Sequence, residues 1–358
     1  MLRSMNSAIS GMQAFQTDLD VVGNNIANVE TVGFKQSDVQ FADLLSQTMS
    51  LGTGGTAPST GGSSATTGMG GTNPEQVGLG VQVAATQMDM SQGPDETTGV
   101  PTNVAIQGNG FFVVTDGTNT YLTRAGNFSV DSAGNLVLPN GVIALGYEAT
   151  PTGSSSSGTS GSGTSGSGTT SSSTPTSPPS AASTSPPSKQ VNVAQWALDW
   201  VQKSVSSAGS ATASQIQVSN VSIGSNGAIT VTFTYTPSSG TSGSSGTSGS
   251  SSSSSTPTTY TEVLGYLALA QVPNPQGLVS VGDNLFSASS PAAGQPTYWT
   301  PGQGTYGTLA SGELEGSNVD LSQQFAEMIV AQNAYVANTH MIGTDNAILQ
   351  ALVNMKNS

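Results

Sequence analysis

The sequence has no cysteine and a single histidine, His340, among its 358 residues. A chain without thiols forms no disulfide and offers no thiolate nucleophile, and one imidazole does not build a histidine metal site. No stretch approaches the roughly 18 consecutive apolar residues that a membrane-spanning helix needs. From these absences we predict no metal, no cofactor and no insertion into a membrane.

Charged residues are scarce and mostly acidic. Six Lys and Arg with 20 Asp and Glu make up 7% of the chain, against about 25% in an average soluble protein. The net charge of −14 repels phosphate backbones, so we expect no nucleic-acid partner. No nucleophile, base and oxyanion donor stand in a catalytic arrangement, and the G-x-G-x-x-G motif at 302–307 lacks the strand and helix of a dinucleotide site. The sequence therefore predicts a protein that is not an enzyme.

The N-terminal segment carries the apolar spacing of an amphipathic helix. Two interleaved series recur at heptad spacing and contain Met5, Met12, Leu19 and Ile26, and Ala8, Phe15, Val22 and Val29. Turn-forming residues begin at Asn28, where we expect the helix to end. The segment has neither the apolar core nor the cleavage site of a secretory signal, so we expect no cleaved leader.

The C-terminal segment predicts a second helix, which is expected to begin near the capping pattern Ser317-x-x-Asp320. One apolar series repeats at heptad spacing and has apolar neighbours: Leu321, Met328, Tyr335, Ile342 and Leu349, flanked by Phe325, Ile329, Leu352 and Met355. The second series is interrupted by Gln324, Asn338 and Asp345. The pattern indicates a narrow apolar stripe rather than an ideal two-stranded zipper.

Between the predicted helices, strand-like runs alternate with low-complexity tracts. Residues 77–150 and 260–316 show short alternating runs with Asp-Gly and Asn-Gly turns, which predict an antiparallel β domain. Residues 49–76 are typical of a linker arm. Residues 151–259 form a Ser, Gly, Thr and Pro-rich insertion that contains a small ordered island at 190–236.

The two ends of the chain, residues 1–48 and 317–358, are expected to form one discontinuous, coiled-coil-like helical domain. The chain is then a multi-layered α+β protein. One interpretation places both helices in an ordinary core. Pairing them, however, covers only part of each apolar stripe and leaves Met5, Ile9 and Met12 for neighbouring copies. We therefore favour self-assembly into a homopolymer over an ordinary core.

The signatures at the two ends resemble those of the bacterial flagellar rod and hook family. They are VGNNIANV at 22–29 followed by TVGFK at 31–35, and LEGSNVDL at 314–321 followed by MIVAQNAY at 328–335. The runs AIQGNGFF and TRAGNF, which begin at Ala105 and Thr123, resemble the β domain of that family. The signature residues of this chain are Asn24, Asn25, Asn28, Gly33, Phe34, Ser317, Asn318 and Asp320.

The resemblance implies a subunit of a tubular polymer whose terminal helices line the inner tube. The implied assembly residues are Met5, Ile9, Met12, Phe15, Leu19, Val22, Ile26, Leu321, Phe325, Met328, Tyr335, Ile342, Leu349 and Leu352. The opening MLRSMNSAISGM and the run GGTNP at 70–74 resemble hook members of the family most. A hook acts as a flexible joint that transmits motor torque.

A distal rod subunit is the alternative within the family, because it shares both end signatures. The resemblance also implies export without a cleaved leader to an extracellular hook. The implied partners are further copies, the export apparatus, and the distal rod, hook cap and hook–filament junction proteins. Outside the family, a secreted adhesive or glycan-binding module would explain the Ser/Thr-rich middle but not the two terminal helices.

Overall fold

A computed structural model describes residues 2–55, 70–149, 185–187, 189–204, 215–236, 257–302 and 307–356. The fold is α+β, with a helix near each end of the chain and antiparallel strands between them. The chain divides into two compact units. The first contains Met1–Val29, Lys35–Asp89 and Val319–Ser358, and the second contains Glu30–Phe34 and Met90–Asn318.

Three α-helices are described: α1 (Leu2–Ala27), α2 (Val193–Ser204) and α3 (Leu321–Lys356). In the first unit, α1 ends where the backbone N–H of Asn28 donates to the carbonyl of Asn24 at 3.1 Å, as the turn residues predict. Helix α3 begins after Asp320, whose carboxylate accepts the backbone N–H of Ser322 at 2.8 Å. The capping side chain is therefore Asp320, and the helix begins one turn after Ser317.

The first unit also contains two two-stranded antiparallel sheets, which pair β1 (Ser37–Asp43) with β4 (Val81–Met88) and β2 (Gln47–Ser50) with β3 (Glu75–Val77). We expected a helical domain up to residue 48 and a β domain that starts at residue 77. Both boundaries are wrong, because β1 and β4 are paired strands of the first unit. Each boundary follows from a pairing between strands that lie far apart in the sequence, which local periodicity does not reveal. The ends of the predicted linker arm are paired, and its residues 56–69 lie outside the described residues.

The second unit is built on a 13-stranded sheet with the central order β13-β14-β15-β11-β7-β8-β18-β17. All strand pairs among the described residues are antiparallel. The strands of this unit are β5 (Asp95–Thr97), β6 (Val104–Gln107), β7 (Phe111–Thr115), β8 (Thr120–Thr123), β9 (Ser129–Val130), β10 (Leu136–Val137), β11 (Ile143–Glu148), β12 (Lys189–Gln190), β13 (Ile216–Ile223), β14 (Ala228–Tyr235), β15 (Thr258–Leu267), β16 (Leu269–Gln271), β17 (Val279–Gly282), β18 (Leu285–Ser287), β19 (Thr297–Trp299), β20 (Thr308–Ser311) and β21 (Glu313–Glu315).

The island at 190–236 shares the core of the second unit instead of standing alone. Strand β14 pairs with β15 along its whole length, and β12 pairs with β11. Trp196 and Val201 of α2 are buried in the same apolar cluster as Phe112 and Leu264. A segment that is too small to bury a core by itself is thus stabilised by the strands that follow residue 257. Most of the two Ser-rich tracts on either side of it lies outside the described residues.

Candidate assembly interface

Three contacts define how α1 and α3 pack in the first unit. The Ser4 hydroxyl donates to Asp345 at 2.6 Å, and the Asn25 side-chain amide donates to Gln324 Oε1 at 2.9 Å. Between them Asn338 lies so close to Gly11 that a Cβ there would be 2.9 Å from its Nδ2. Along α1 the contacts advance by one heptad from Ser4 to Gly11 and by two more to Asn25. Their partners on α3 run in the opposite direction by the same steps, from Asp345 to Asn338 to Gln324. The helices are therefore antiparallel in a single register of whole heptads.

The face of α3 that packs on α1 carries the polar residues of the interrupted series. Gln324 is fully buried and Ala331 is 1% exposed. The predicted residues Met328, Tyr335 and Ile342 are half-buried. The residues that weaken the apolar pattern in the sequence therefore contact the other helix, beside these apolar residues.

Apolar side chains are exposed on several sides of α3, including the end of the helix that continues beyond Asp345 to Lys356. Four predicted assembly residues are among these exposed side chains, and others lie outside the predicted set: Leu321, Phe325, Ile329, Val330, Val336, Met341, Ile348, Leu349, Leu352, Val353 and Met355. Apolar side chains that face solvent along a 36-residue helix are typical of an interaction surface. We call this set the outer face of α3, and the name covers every exposed apolar residue of the helix, on whichever side it lies.

The predicted assembly residues of α1 are covered in part by α3 and in part by the strands β1 and β4. Val22 is buried, Ile9 is 37% exposed, and the other predicted residues are half-buried: Met5, Met12, Phe15, Leu19 and Ile26. Phe15 contacts Phe41 of β1, with ring centroids 5.5 Å apart. The β1–β4 sheet thus covers part of α1, a contact that we did not predict from the sequence. The sequence feature that could have indicated it is Gly80 beside β4, where the Ser10 hydroxyl leaves no room for a side chain.

Asn25 joins three elements of the first unit. Its side-chain amide donates to the carbonyl of Ser37 at 2.9 Å as well as to Gln324, and its Oδ1 accepts the Ser37 N–H at 3.0 Å. Asn25 is 1% exposed, so each of these hydrogen bonds satisfies a buried polar group. Nearby Asn28 donates to the side chain of Asn24 at 2.6 Å. The VGNNIAN signature therefore closes α1 and joins it to β1 and α3.

Four carboxylates lie near the same end of α1. Burial, and then the charges of Glu327 and Asp38, raise the pKa of Asp18 above its ordinary value. Burial, and then the charges of Glu327 and Asp89, raise the pKa of Asp38. An acid with a raised pKa in the folded state binds more protons there than in the unfolded state. Its ionised form therefore lowers stability above the folded pKa, and the penalty disappears as pH falls below the unfolded value.

We expect the helical first unit to become more stable as the pH is lowered from 7 towards the ordinary aspartate pKa of about 4, because Asp18 and Asp38 gain protons in the folded state. Circular dichroism at 222 nm during thermal unfolding measures this change. Asp18→Asn should raise stability at pH 7 and flatten the pH dependence. Asp20→Asn, at an exposed neighbouring position, is the matched control. Equal pH profiles for the wild-type chain and Asp18→Asn would contradict the assignment.

A buried ion pair joins three family signatures within the second unit. Arg124 of TRAGNF lies 3.1 Å from the carboxylate of Glu315 in LEGSN, and their side chains are 4% and 0% exposed. The same carboxylate accepts the backbone N–H of Gly93 at 3.1 Å, and the Glu315 carbonyl accepts that of Gly33 in TVGFK at 2.8 Å. Arg124 also donates to the carbonyl of Gly108 at 2.9 Å.

Gly33 lies beside this ion pair, and further signature residues are found in the same chain segments. Gly33 has φ +70°, and a Cβ there would be 2.7 Å from the backbone nitrogen of Ala125, so glycine is required. Phe34 is half-buried and Ser317 is 8% exposed. The Asn318 side chain donates to the Ser91 hydroxyl at 3.1 Å. Three segments at which the chain enters or leaves the second unit are therefore held together around Glu315.

Neither a metal site nor a membrane span is found in the part of the chain that the structure describes. No three His, Asp or Glu side chains there are grouped so that they could hold a metal ion. Among the described helices, none combines the length and the hydropathy needed to cross a bilayer. His340 is exposed on α3, and Asp345, its neighbour in sequence, accepts the Ser4 hydroxyl instead.

Three family profiles match successive parts of the chain. The family described as flagella basal body rod protein matches residues 5–35, which contain most of α1 and the TVGFK signature. The flagellar hook protein FlgE/F/G D1 domain matches 105–231, which extends through the predicted insertion to the island. The C-terminal family of flagellar basal body rod FlgEFG proteins matches 310–355, which contains Glu315 and nearly all of α3.

Several relatives match the chain over its whole length. It is 33% identical to the flagellar basal-body rod protein FlgG of Bacillus subtilis, covering 99% of this chain and 100% of that one. It is 32% identical to the flagellar hook protein FlgE of Borreliella burgdorferi, with both chains fully covered. It is 28% identical to FlgE of Escherichia coli, covering 99% of this chain and 100% of that one. With its end signatures, paired terminal helices and full-length relatives, the chain belongs to the family of bacterial flagellar basal-body rod and hook proteins.

Proposed function

We propose that this chain is the structural subunit of the flagellar hook, and that it polymerises into a flexible tube that transmits motor torque. The observation that carries the proposal is the outer face of α3, which its own chain leaves exposed. Apolar surface gains about 25 cal/mol for each Å² removed from water, so a neighbouring copy stabilises the subunit by covering this face. The role is one of assembly and not of catalysis.

The inner layer of the tube follows from the terminal helices of the subunit. We place α1 and α3 in the inner layer, where coiled-coil-like packing of α1 on α3 leaves the outer face of α3 for other copies. We expect the paired strands β2 and β3 to contact neighbouring subunits, because Leu45 and Leu51 beside them are 85% and 81% exposed.

The scarcity of charge suits a joint that bends. Buried unpaired charges are costly, and strong ion pairs between subunits would hold them in one relative position. Contacts between apolar and uncharged polar side chains are not directional and permit small displacements. At the ends of this extracellular polymer we expect the distal rod on one side and the hook cap or hook–filament junction proteins on the other. The export apparatus would deliver the subunits.

The distal rod is the second candidate, because the Bacillus subtilis rod protein matches the whole chain at 33% identity. The FlgE matches in Borreliella burgdorferi, Escherichia coli and Salmonella favour the hook. Both candidates polymerise through the same terminal helices. They differ in where the polymer lies and in whether it bends.

Electron microscopy of basal bodies from a strain that lacks this chain separates the hook from the distal rod. For a hook subunit we expect a complete rod that crosses the envelope and bears no curved tube outside it. Expressing the intact chain should restore a short curved tube that antibodies against the chain label along its length. A rod that ends inside the envelope, with labelling confined to that rod after restoration, would assign the chain to the distal rod.

A further inference from the structure

The face of α3 that packs on α1 includes three polar residues. Gln324, Asn338 and Asp345 contact α1, whereas apolar Phe325 and Ile329 remain exposed. Apolar burial alone would favour apolar residues at the positions that face α1. Some other interaction must therefore fix the face that α3 presents to α1.

The three polar residues of α3 each meet a matching residue of α1. Gln324 accepts the Asn25 amide, Asp345 accepts the Ser4 hydroxyl, and Asn338 fills the space beside Gly11, where α1 has no side chain. A polar residue at a core position of paired helices costs stability in every register except the one that gives it a partner. Polar contacts can therefore select one arrangement among several of similar apolar burial.

A shift of α3 by one heptad removes these matches. Asn25 would then face Ala331 instead of Gln324, and Ser4 would face Leu352 instead of Asp345. The buried side chains of Asn25 and Gln324 would lose their mutual hydrogen bond, at a cost of about 1–3 kcal/mol for each unsatisfied group. The apolar contacts would change little, because apolar residues continue along α3 to Met355. Apolar contacts alone would not exclude the shifted register.

We infer that Gln324, Asn338 and Asp345 are the specificity-determining residues for the pairing of α3 with α1. Together with Asn25, Gly11 and Ser4 they fix the register of α3 on α1 within one chain. This register also sets how far the C-terminal end of α3, with its exposed apolar side chains, extends beyond Ser4 for contact with other copies. This last step rests on the proposed function, whereas the register is a property of the single chain.

The register can be measured by cross-linking, because the chain has no native cysteine. One variant carries Ser4→Cys with Asp345→Cys, and a second carries Ser4→Cys with Leu352→Cys. Position 352 lies one heptad beyond 345, about 10 Å further along the helix, so a short bifunctional thiol reagent distinguishes the two. In dilute monomer we expect rapid cross-linking of positions 4 and 345 and little of 4 and 352, measured by mass spectrometry.

Moving the polar residue by one heptad should move the register. The exchange of Gln324→Ala with Ala331→Gln keeps the composition and gives Asn25 a partner only in the shifted register. We expect cross-linking of 4 and 352 to rise at least fivefold and that of 4 and 345 to fall. A second variant, Gln324→Leu with Asn338→Leu, should give both products. The matched control, Gln332→Leu with Asn333→Leu, changes the same residue types at exposed positions and should leave the native pattern.

The outcomes separate the register from the proposed function. Cross-linking of 4 and 345 alone in both the exchange variant and the Leu variant would overturn the inference, because the polar residues would then not choose the register. Circular dichroism shows whether each variant keeps its helices. If one of the two variants loses them, the test rests on the other variant. Assembly of the intact chain is followed separately by sedimentation. Native cross-links in a chain that never polymerises would refute the proposed function and leave the register inference standing.

Discussion

Replacing Arg124 by Met is expected to lower the free energy of unfolding of the second unit by about 3–5 kcal/mol, the range for removing one partner of a buried ion pair. The change leaves the fully buried Glu315 carboxylate without its cation. It also removes the hydrogen bond to the Gly108 carbonyl and the contact of the guanidinium with the Phe111 ring, 5.3 Å from its centroid. Tryptophan fluorescence during urea unfolding measures the loss, because Trp196, Trp200 and Trp299 all lie in this unit.

An ion pair of the same unit with an exposed cation provides the control. Lys189 pairs with Glu148, and the side chains are 56% and 10% exposed, while Lys203 lies 3.6 Å from the same carboxylate and remains as its partner. Solvent screens such pairs, so Lys189→Met should cost less than about 1 kcal/mol. The double variant Arg124→Met with Glu315→Gln should be less unstable than the sum of the two single changes, because it leaves no unpaired buried charge. Equal losses for Arg124→Met and Lys189→Met would contradict the structural role of the buried pair.

Deleting positions 339–358 is expected to abolish polymerisation and to leave the second unit folded. The truncation removes Ile342 and Asp345 from the face that packs on α1, and Leu349 and Leu352 from the outer face. Sedimentation and electron microscopy measure the polymer. Tryptophan fluorescence should show the same urea midpoint for the second unit in the truncated and intact chains. Polymers of normal length from the truncated chain would refute assembly through the terminal helices.

A point variant distinguishes the contribution of the outer face to assembly from that of the pairing of α3 with α1. Leu349→Asp places a charge on the outer face, where it is solvated in the monomer and would be buried without a partner in the polymer. We expect the monomer to keep its helical circular dichroism and polymer yield to fall at least tenfold. Gln350→Asp, at the next exposed position, is the matched control and should assemble more readily than Leu349→Asp.

Local patterns predicted the elements of this fold better than they predicted its pairings. Heptad spacing predicted α1 and α3, and the Asn-Gly turns at 140–141 and 226–227 lie where glycines with φ of +84° and +74° reverse the chain. The pairing of Ser37–Asp43 with Val81–Met88 was missed, because a long-range strand pair leaves no periodic trace in either strand. The same limit applies to the island, whose strand β14 pairs with β15 beyond a Ser-rich tract.

The candidate interface shows a second limit of prediction from the sequence. Apolar periodicity identified which residues of α3 belong to its stripe but not which of them face α1. Gln324 and Asn338 looked like interruptions, because their partners Asn25 and Gly11 lie near the opposite end of the sequence. Similarly, Arg124 and Glu315 stand in separate signatures, and only the fold brings them within 3.1 Å.

Helical reconstruction of the native polymer by electron cryomicroscopy tests the central claim most directly. We expect α1 and α3 of every subunit to line the central channel. We also expect Phe325, Ile329 and Leu352 to be buried against neighbouring copies. A polymer whose subunits contact one another only through the second unit, with the outer face of α3 still exposed to solvent, would contradict this claim.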